Sequence, residues 1–237
     1  MTYTNSPLVD YTQISPHRGN RNGHVIDTIT IHCAAAQAAV ETLCRLFQTK
    51  QASANYGIGA DGRVGMYVEE KDRSWCTSNN ANDARAVTIE VACDNRHPYA
   101  VKDAVYKKLI TLVADICKRN GIAKLVWSTD KYDRMNHKGG CNMTVHRDYE
   151  NKACPGQWLY DRHGQIAAEA NKILEDEEMV RWNKIEDVPE GFYRDTVRQL
   201  MQDGIIKGKG NGVIDLTEDM LRVTIYNKRM IETMLEK

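Results

Sequence analysis

Val25-Ile26-Asp27-Thr28-Ile29-Thr30-Ile31-His32-Cys33 is the stretch from which the architecture follows. Ile29 and Ile31 alternate with Thr28, Thr30 and His32, the period of a strand with one apolar face. His32 therefore lies on the face opposite Ile31, near the strand's C-terminal end, where open sheets often gather their chemistry. Ala86-Val87-Thr88-Ile89-Glu90-Val91-Ala92-Cys93 is a second run of strand character. Between the two, Asp61-Gly62 joins two strand-like runs within 54–68, a strong hairpin signal. Leu125-Val126-Trp127 predicts one more short strand. Helical spacing fills the intervals: Val40, Leu43, Cys44 and Phe47 over 38–49, then Val105, Leu109, Leu112, Val113 and Ile116 over 101–119, ended by Asn120-Gly121. A further helix is expected from Gln157 to about Leu174. Residues 1–24 are polar and irregular and read as a surface arm. The sum is an α/β fold, a central mixed sheet flanked by helices.

Composition narrows the class. The chain has 237 residues, 42% hydrophobic and 27% charged, with 32 Lys and Arg against 32 Asp and Glu. That balance gives no basic surface for bulk attraction to nucleic acid or anionic lipid. No apolar run approaches the ~20 residues that cross a bilayer, so no membrane insertion is expected. The first residues lack a charged region followed by an apolar one, so no secretory signal is expected. The seven cysteines, odd in number and irregular in spacing, read as free thiols of a reducing cytoplasm.

The acidic run Glu175-Asp176-Glu177-Glu178 coincides with a change of character, and the domain boundary is placed there: 1–178 and 179–237. The second part is expected to be small and mainly helical. It has a helix over 190–203, a glycine-rich turn region over 204–212, and a last helix from Glu218 with Thr217 as its cap.

Thr144-Val145-His146-Arg147-Asp148-Tyr149-Glu150-Asn151-Lys152-Ala153-Cys154-Pro155-Gly156 carries the densest chemistry. His146 and Cys154 are both good zinc ligands, but two ligands do not hold a catalytic metal, and the strand around His32 is the best donor of a third. Taken singly these residues say little. A strand-end histidine is commonly a satisfied polar group, Glu90 reads as a carboxylate paired with an arginine, and Lys152 as a solvated loop charge.

The combination says more. Thr30-Ile31-His32, Ser53-Ala54-Asn55-Tyr56 ahead of Asp61-Gly62, Thr88-Ile89-Glu90, and Thr144-Val145-His146 with Lys152-Ala153-Cys154-Pro155-Gly156 occur in this order. Over roughly 5–175 the set resembles the zinc-dependent N-acetylmuramoyl-L-alanine amidases of the amidase-2 type, a superfamily that includes the peptidoglycan recognition proteins. It is most similar to the endolysins of phages and prophages of clostridia and related Gram-positive bacteria. The resemblance implies Zn2+ held by His32, His146 and Cys154, with Glu90 handling protons and Lys152 stabilising the oxyanion. Trp75 and His137 are implied only as substrate contacts. A tyrosine that works in many relatives falls on Ala54 here, and Tyr56 reads as a packed strand residue.

Residues 187–222 resemble a single S-layer homology repeat whose second-helix motif departs from the usual pattern. This implies that 179–237 is a cell-wall-binding or oligomerisation module, with a secondary cell-wall polymer as its ligand. Met179 directly follows the acidic run, so a shorter product starting there is an expected partner of the full-length chain. The function implied is hydrolysis of peptidoglycan at the bond between N-acetylmuramic acid and L-alanine. The enzyme would be made in the host cytoplasm and reach the wall after release. Two other classes compete: an inactive peptidoglycan-binding recognition protein, against which the complete His32, His146, Cys154 set argues, and a cytoplasmic muropeptide-recycling amidase, for which a wall-binding module has no use.

Overall fold

The computed structural model describes residues 3–178 and 181–235. It divides into two compact units, with the chain boundary between Leu174 and Glu175. Met179, where an internal start is expected, lies outside the described residues.

The first unit is built on a six-stranded mixed sheet. Its strands are β1 (Tyr11–Thr12), β3 (Thr28–Cys33), β4 (Tyr56–Ile58), β5 (Val64–Met66), β7 (Ala86–Val91) and β8 (Met143–Thr144), in the order β1-β5-β4-β7-β3-β8. A separate antiparallel pair joins β2 (Arg18–Asn20) to β6 (Asp72–Ser74). Strands β4 and β5 form the expected hairpin, with Gly62 at a positive φ of 83° in its turn. The centre is parallel: β3 lies between β7 and β8 and runs the same way as both.

Helices flank this sheet: α1 (Val40–Thr49), α2 (Asn80–Arg85), α3 (Asp103–Asn120), α4 (Lys131–Met135), α5 (Gln157–Tyr160) and α6 (His163–Glu178). Ile29, Ile31, Val87 and Ile89 are fully buried and pack with Leu109, Leu112 and Ile116 of α3 and Ile166 and Ala170 of α6. Each fully buried Leu or Ile contributes about 1.5–3 kcal/mol, so this apolar face anchors the sheet. The opposite face carries Thr30, His32, Thr88 and Glu90. The strand alternation that fills the core thus also sorts the polar residues to one side.

Three local expectations differ from the structure. Residues 1–24 are not merely a surface arm. Within them, β1 pairs in parallel with β5, and Arg21 is buried, donating from Nε to the Glu70 carbonyl (2.6 Å) and from a terminal nitrogen to the Ala84 and Ala86 carbonyls (2.9 Å each). Leu125-Val126-Trp127 is not a strand, because asparagine side chains replace a ladder. Leu125 N–H donates to Asn171 Oδ1 and Val126 N–H to Asn142 Oδ1, both at 2.8 Å. The helix expected from Gln157 is two helices, α5 and α6, with a break at Asp161–Arg162.

The second unit has its own core of Trp182, Val188, Val197, Leu200, Ile214, Leu216 and Leu221. It comprises α7 (Phe192–Gln202), α8 (Glu218–Leu235) and a two-stranded antiparallel pair, β9 (Arg181–Trp182) with β10 (Leu216–Thr217). Thr217 Oγ1 accepts from Met220 N–H at 3.2 Å, the expected cap. Among the described residues, no helix is long and apolar enough to cross a membrane.

Candidate metal centre

Strand register builds the site. In the parallel pair of β3 and β7, His32 registers with Glu90; in that of β3 and β8, Thr30 registers with Thr144. His146 follows Thr144 by two residues, as His32 follows Thr30. One short row therefore holds His146, His32 and Glu90 at the C-terminal ends of three neighbouring strands. A short 3-10 turn over His146–Asp148 then reverses the chain, and the following loop returns Cys154 to the row. Gly156 closes that loop at a φ of 80°, and a Cβ there would meet Tyr99 Cβ at 2.6 Å, so only glycine fits.

Ligand atoms of His32, His146 and Cys154 lie within 4.8 Å of one another, and those of His32, Cys76 and Glu90 form a second such group. Cys154 Sγ stands 3.3 Å from His32 Nδ1 and accepts from Cys33 N–H at 3.4 Å. Two tetrahedral ligands at ordinary zinc–nitrogen and zinc–sulfur lengths stand about 3.5 Å apart, close to that spacing. Nε2 of His32 is enclosed without a hydrogen-bond partner, and Nε2 of His146 lies 3.6 Å from Glu150 Oε2, just beyond hydrogen-bond length. Burial, with the neighbouring His146 and His163 adding to it, pulls His32 down to about 3. Burial also lowers His146, Glu150 opposes that and Lys152 reinforces it. Both rings are thus neutral near pH 7, the form that binds metal. The cluster can hold a metal ion, and two imidazoles with a thiol suit zinc.

Glu90 is half-buried as a residue, but its Oε2 is enclosed and without a hydrogen-bond partner. Burial lifts its carboxyl to about 7. Lys152 is about half exposed, 3.7 Å from Glu150 Oε2, and lines a cavity of about 700 Å3 with Arg147, Tyr149, Glu150, His97 and Tyr99. Trp75 packs against His17, ring centroids 5.6 Å apart. His137 bonds through Nδ1 to the Cys141 carbonyl (2.9 Å). Neither Trp75 nor His137 lines the large cavity. Tyr56 is a packed strand residue, its hydroxyl donating to Glu70 Oε1 at 2.7 Å.

Sequence reasoning missed the supports beneath the row. Thr30 and Thr144, each two residues before a histidine, share a hydroxyl–hydroxyl bond of 2.7 Å. Asn82 spans them, donating to Thr30 Oγ1 (3.1 Å) and accepting from Thr144 Oγ1 (2.8 Å) and the Tyr149 hydroxyl (2.9 Å). Asn79, three residues earlier, caps α2 by accepting from Asn82 N–H, and that pair was the available signal. Behind the loop, Arg134 Nε and NH2 grip Asp148 at 2.9 and 2.5 Å, both residues buried. Removing one partner would strand the other charge at about 3–5 kcal/mol. Replacing Asn82 with Ala is expected to weaken zinc binding by about 10–100-fold, the usual effect of losing an outer support, as read by competition with a chromophoric chelator.

An α/β sheet with a partly buried His/Cys donor cluster at its strand ends defines a candidate metal-binding cleft. The chain belongs to the N-acetylmuramoyl-L-alanine amidase family Amidase_2, whose model matches residues 22–157. It is accordingly a peptidoglycan hydrolase of the zinc-dependent amidase type. No curated protein is significantly similar in sequence. Among solved structures, the N-acetylmuramoyl-L-alanine amidase LysC from Clostridium intestinale URNW aligns at TM-score 0.52 and 14% identity, over 70% of this chain and 99% of that one. A selenomethionine derivative of AmpD aligns at TM-score 0.51 and 17% identity, over 70% and 99%. The endolysin LysCS from Clostridium intestinale URNW aligns at 0.50 and 16%, over 72% and 99%. At these identities the likeness speaks for the fold. The family match ends before the second unit, and these findings give no support to an S-layer homology repeat there.

Proposed function

We propose that the chain is an endolysin that cleaves the amide between the lactyl group of N-acetylmuramic acid and L-alanine, with zinc on His32, His146 and Cys154. The observation that carries this is the convergence of those three donors within 4.8 Å. Zinc bound there would polarise the scissile carbonyl and bring the pKa of water towards ~7. The rest falls to the protein. Glu90, in its ionised form, takes a proton from the attacking water and returns it to the leaving amine. Its enclosed Oε2 makes it a stronger base than an exposed carboxylate. Lys152 swings from Glu150 towards the cleft and stabilises the oxyanion of the tetrahedral intermediate. The cavity lined by Lys152, Arg147 and Tyr149 receives the peptide stem.

The second unit serves as a wall-binding or oligomerisation module, and its resemblance to one S-layer homology repeat is what supports that role. Its ligand is then a secondary cell-wall polymer, and a product starting at Met179 is its partner in an oligomer. The enzyme accumulates in the host cytoplasm and acts on the wall after release, as its resemblance to phage endolysins suggests. Digestion of purified walls tests the central claim. New free L-alanine amino termini without new reducing sugar ends are expected; new reducing ends would show a glycosidase instead.

A further inference from the structure

Glu90 and His32 have a second neighbour that the amidase reaction does not use. Cys76 follows β6, and its thiol, a carboxylate oxygen of Glu90 and a ring nitrogen of His32 all lie within 4.8 Å of one another. Its backbone is fixed, since Cys76 N–H donates to Asp83 Oδ2 at 2.9 Å. Nδ1 of His32 is on the Cys154 side, at 3.3 Å, which leaves Nε2 for the other side. That Nε2 and Glu90 Oε2 are both enclosed without a hydrogen-bond partner, and His32 is only 1% exposed. Unpartnered buried polar atoms are costly, and metal-bound histidines normally engage their second nitrogen. Here a His32 ring nitrogen stands within 4.8 Å of a thiol and a carboxylate, and no backbone carbonyl partners Nε2.

We infer that a second divalent cation of the zinc class binds between His32, Cys76 and Glu90 when metal is in excess, and that it inhibits the enzyme by occupying Glu90. Imidazole, thiolate and carboxylate form a borderline-soft donor set that suits Zn2+ or Cd2+ and disfavours Mg2+ and Ca2+. The three donors leave a fourth position for water. Binding would release the Cys76 thiol proton, and the proton on the His32 nitrogen it engages, to solvent, with His32 shared between the two sites. Glu90, coordinated, can no longer accept a proton from the attacking water. The enzyme therefore works with one ion and is silenced by two. This rests on the zinc reading of His32, His146 and Cys154, and the test separates the two.

The full-length chain is equilibrated with one and then with a large excess of Zn2+, and bound metal is counted by dialysis and mass spectrometry. Wild type is expected to bind two ions in excess metal, Cys76→Ser and Cys76→Ala one, and Cys154→Ser fewer than wild type. Cobalt gives a second readout: wild type at two equivalents should show about twice the thiolate-to-cobalt absorption of Cys76→Ser, since two thiolates contribute rather than one. Activity in excess zinc is divided by activity at one equivalent within each protein. The ratio should fall by tenfold or more in wild type and stay near one in the Cys76 variants. One ion per chain in wild type, with His32 Nε2 then simply donating to Glu90, would overturn the second site and leave the first intact. Equal inhibition of wild type and both Cys76 variants would also overturn it. A wild-type chain that binds no zinc would instead refute the reading on which this inference rests.

Discussion

Cys154→Ser is expected to abolish wall hydrolysis, lowering kcat/KM by on the order of a thousandfold or more, equivalent to about 4 kcal/mol of transition-state stabilisation. A serine hydroxyl is a far poorer zinc ligand than a thiolate, and two imidazoles alone leave the cluster one donor short. The thiol also fixes local geometry: Sγ accepts from Cys33 N–H and abuts His32 Nδ1. Zinc content by elemental mass spectrometry should fall together with activity. A metal-free Cys154→Ser protein with full activity would remove the metal from the mechanism. The substitution is nearly isosteric, so circular dichroism should be unchanged, which separates loss of metal from loss of fold.

Glu90→Gln is expected to lower kcat by about 10²–10⁴-fold, with zinc content retained. The amide preserves size and polarity but cannot take up a proton. Its pH profile is the more discriminating readout. Burial lifts the Glu90 carboxyl from 4.5 to about 7, and a nearby cation would pull it back down. The wild-type acid limb should therefore lie between pH 4.5 and 7, activity rising with pH as Glu90 ionises. That limb should vanish in Glu90→Gln. The same shift sets the stability of the metal-free protein. A carboxyl whose folded pKa lies above its unfolded value favours the folded state most at low pH, and that contribution is lost as pH rises through 7. Metal-free wild type should accordingly lose stability between pH 4.5 and 7, and metal-free Glu90→Gln should lose less. An acid limb that persists in Glu90→Gln would assign the proton transfer to another group.

The sequence made the frame visible where the pattern is local. Alternation in 28–33 and 86–91, the Asp61-Gly62 turn and the spacing of α1 and α3 each depend on neighbours a few residues away. What was hidden depends on distant partners. Arg21 looks like a charge on an arm until the carbonyls of Glu70, Ala84 and Ala86 surround it. Leu125-Val126 has the composition of a strand, but Asn171 and Asn142 supply side-chain partners before any strand can pair. At the site, the donor types were legible and their meeting was not. His32 and His146 are 114 residues apart by subtraction of their numbers, and only the family resemblance put them together. Asn82 was invisible for the same reason, since all three of its site partners lie more than fifty residues away in sequence.

The register of β3 with β7 and β8 has a consequence for how this chain can vary. His32 lies two positions after Thr30 and His146 two positions after Thr144, so the row is spelled in even steps. Inserting or deleting a single residue inside β7 would turn Glu90 into the apolar layer and Ile89 out of it, destroying catalysis and core at one stroke. Connections between strands are under no such parity rule, because they only return the chain to a strand already in phase. Length variation among descendants of this sequence should therefore collect in the connections, and the three central strands should keep their count.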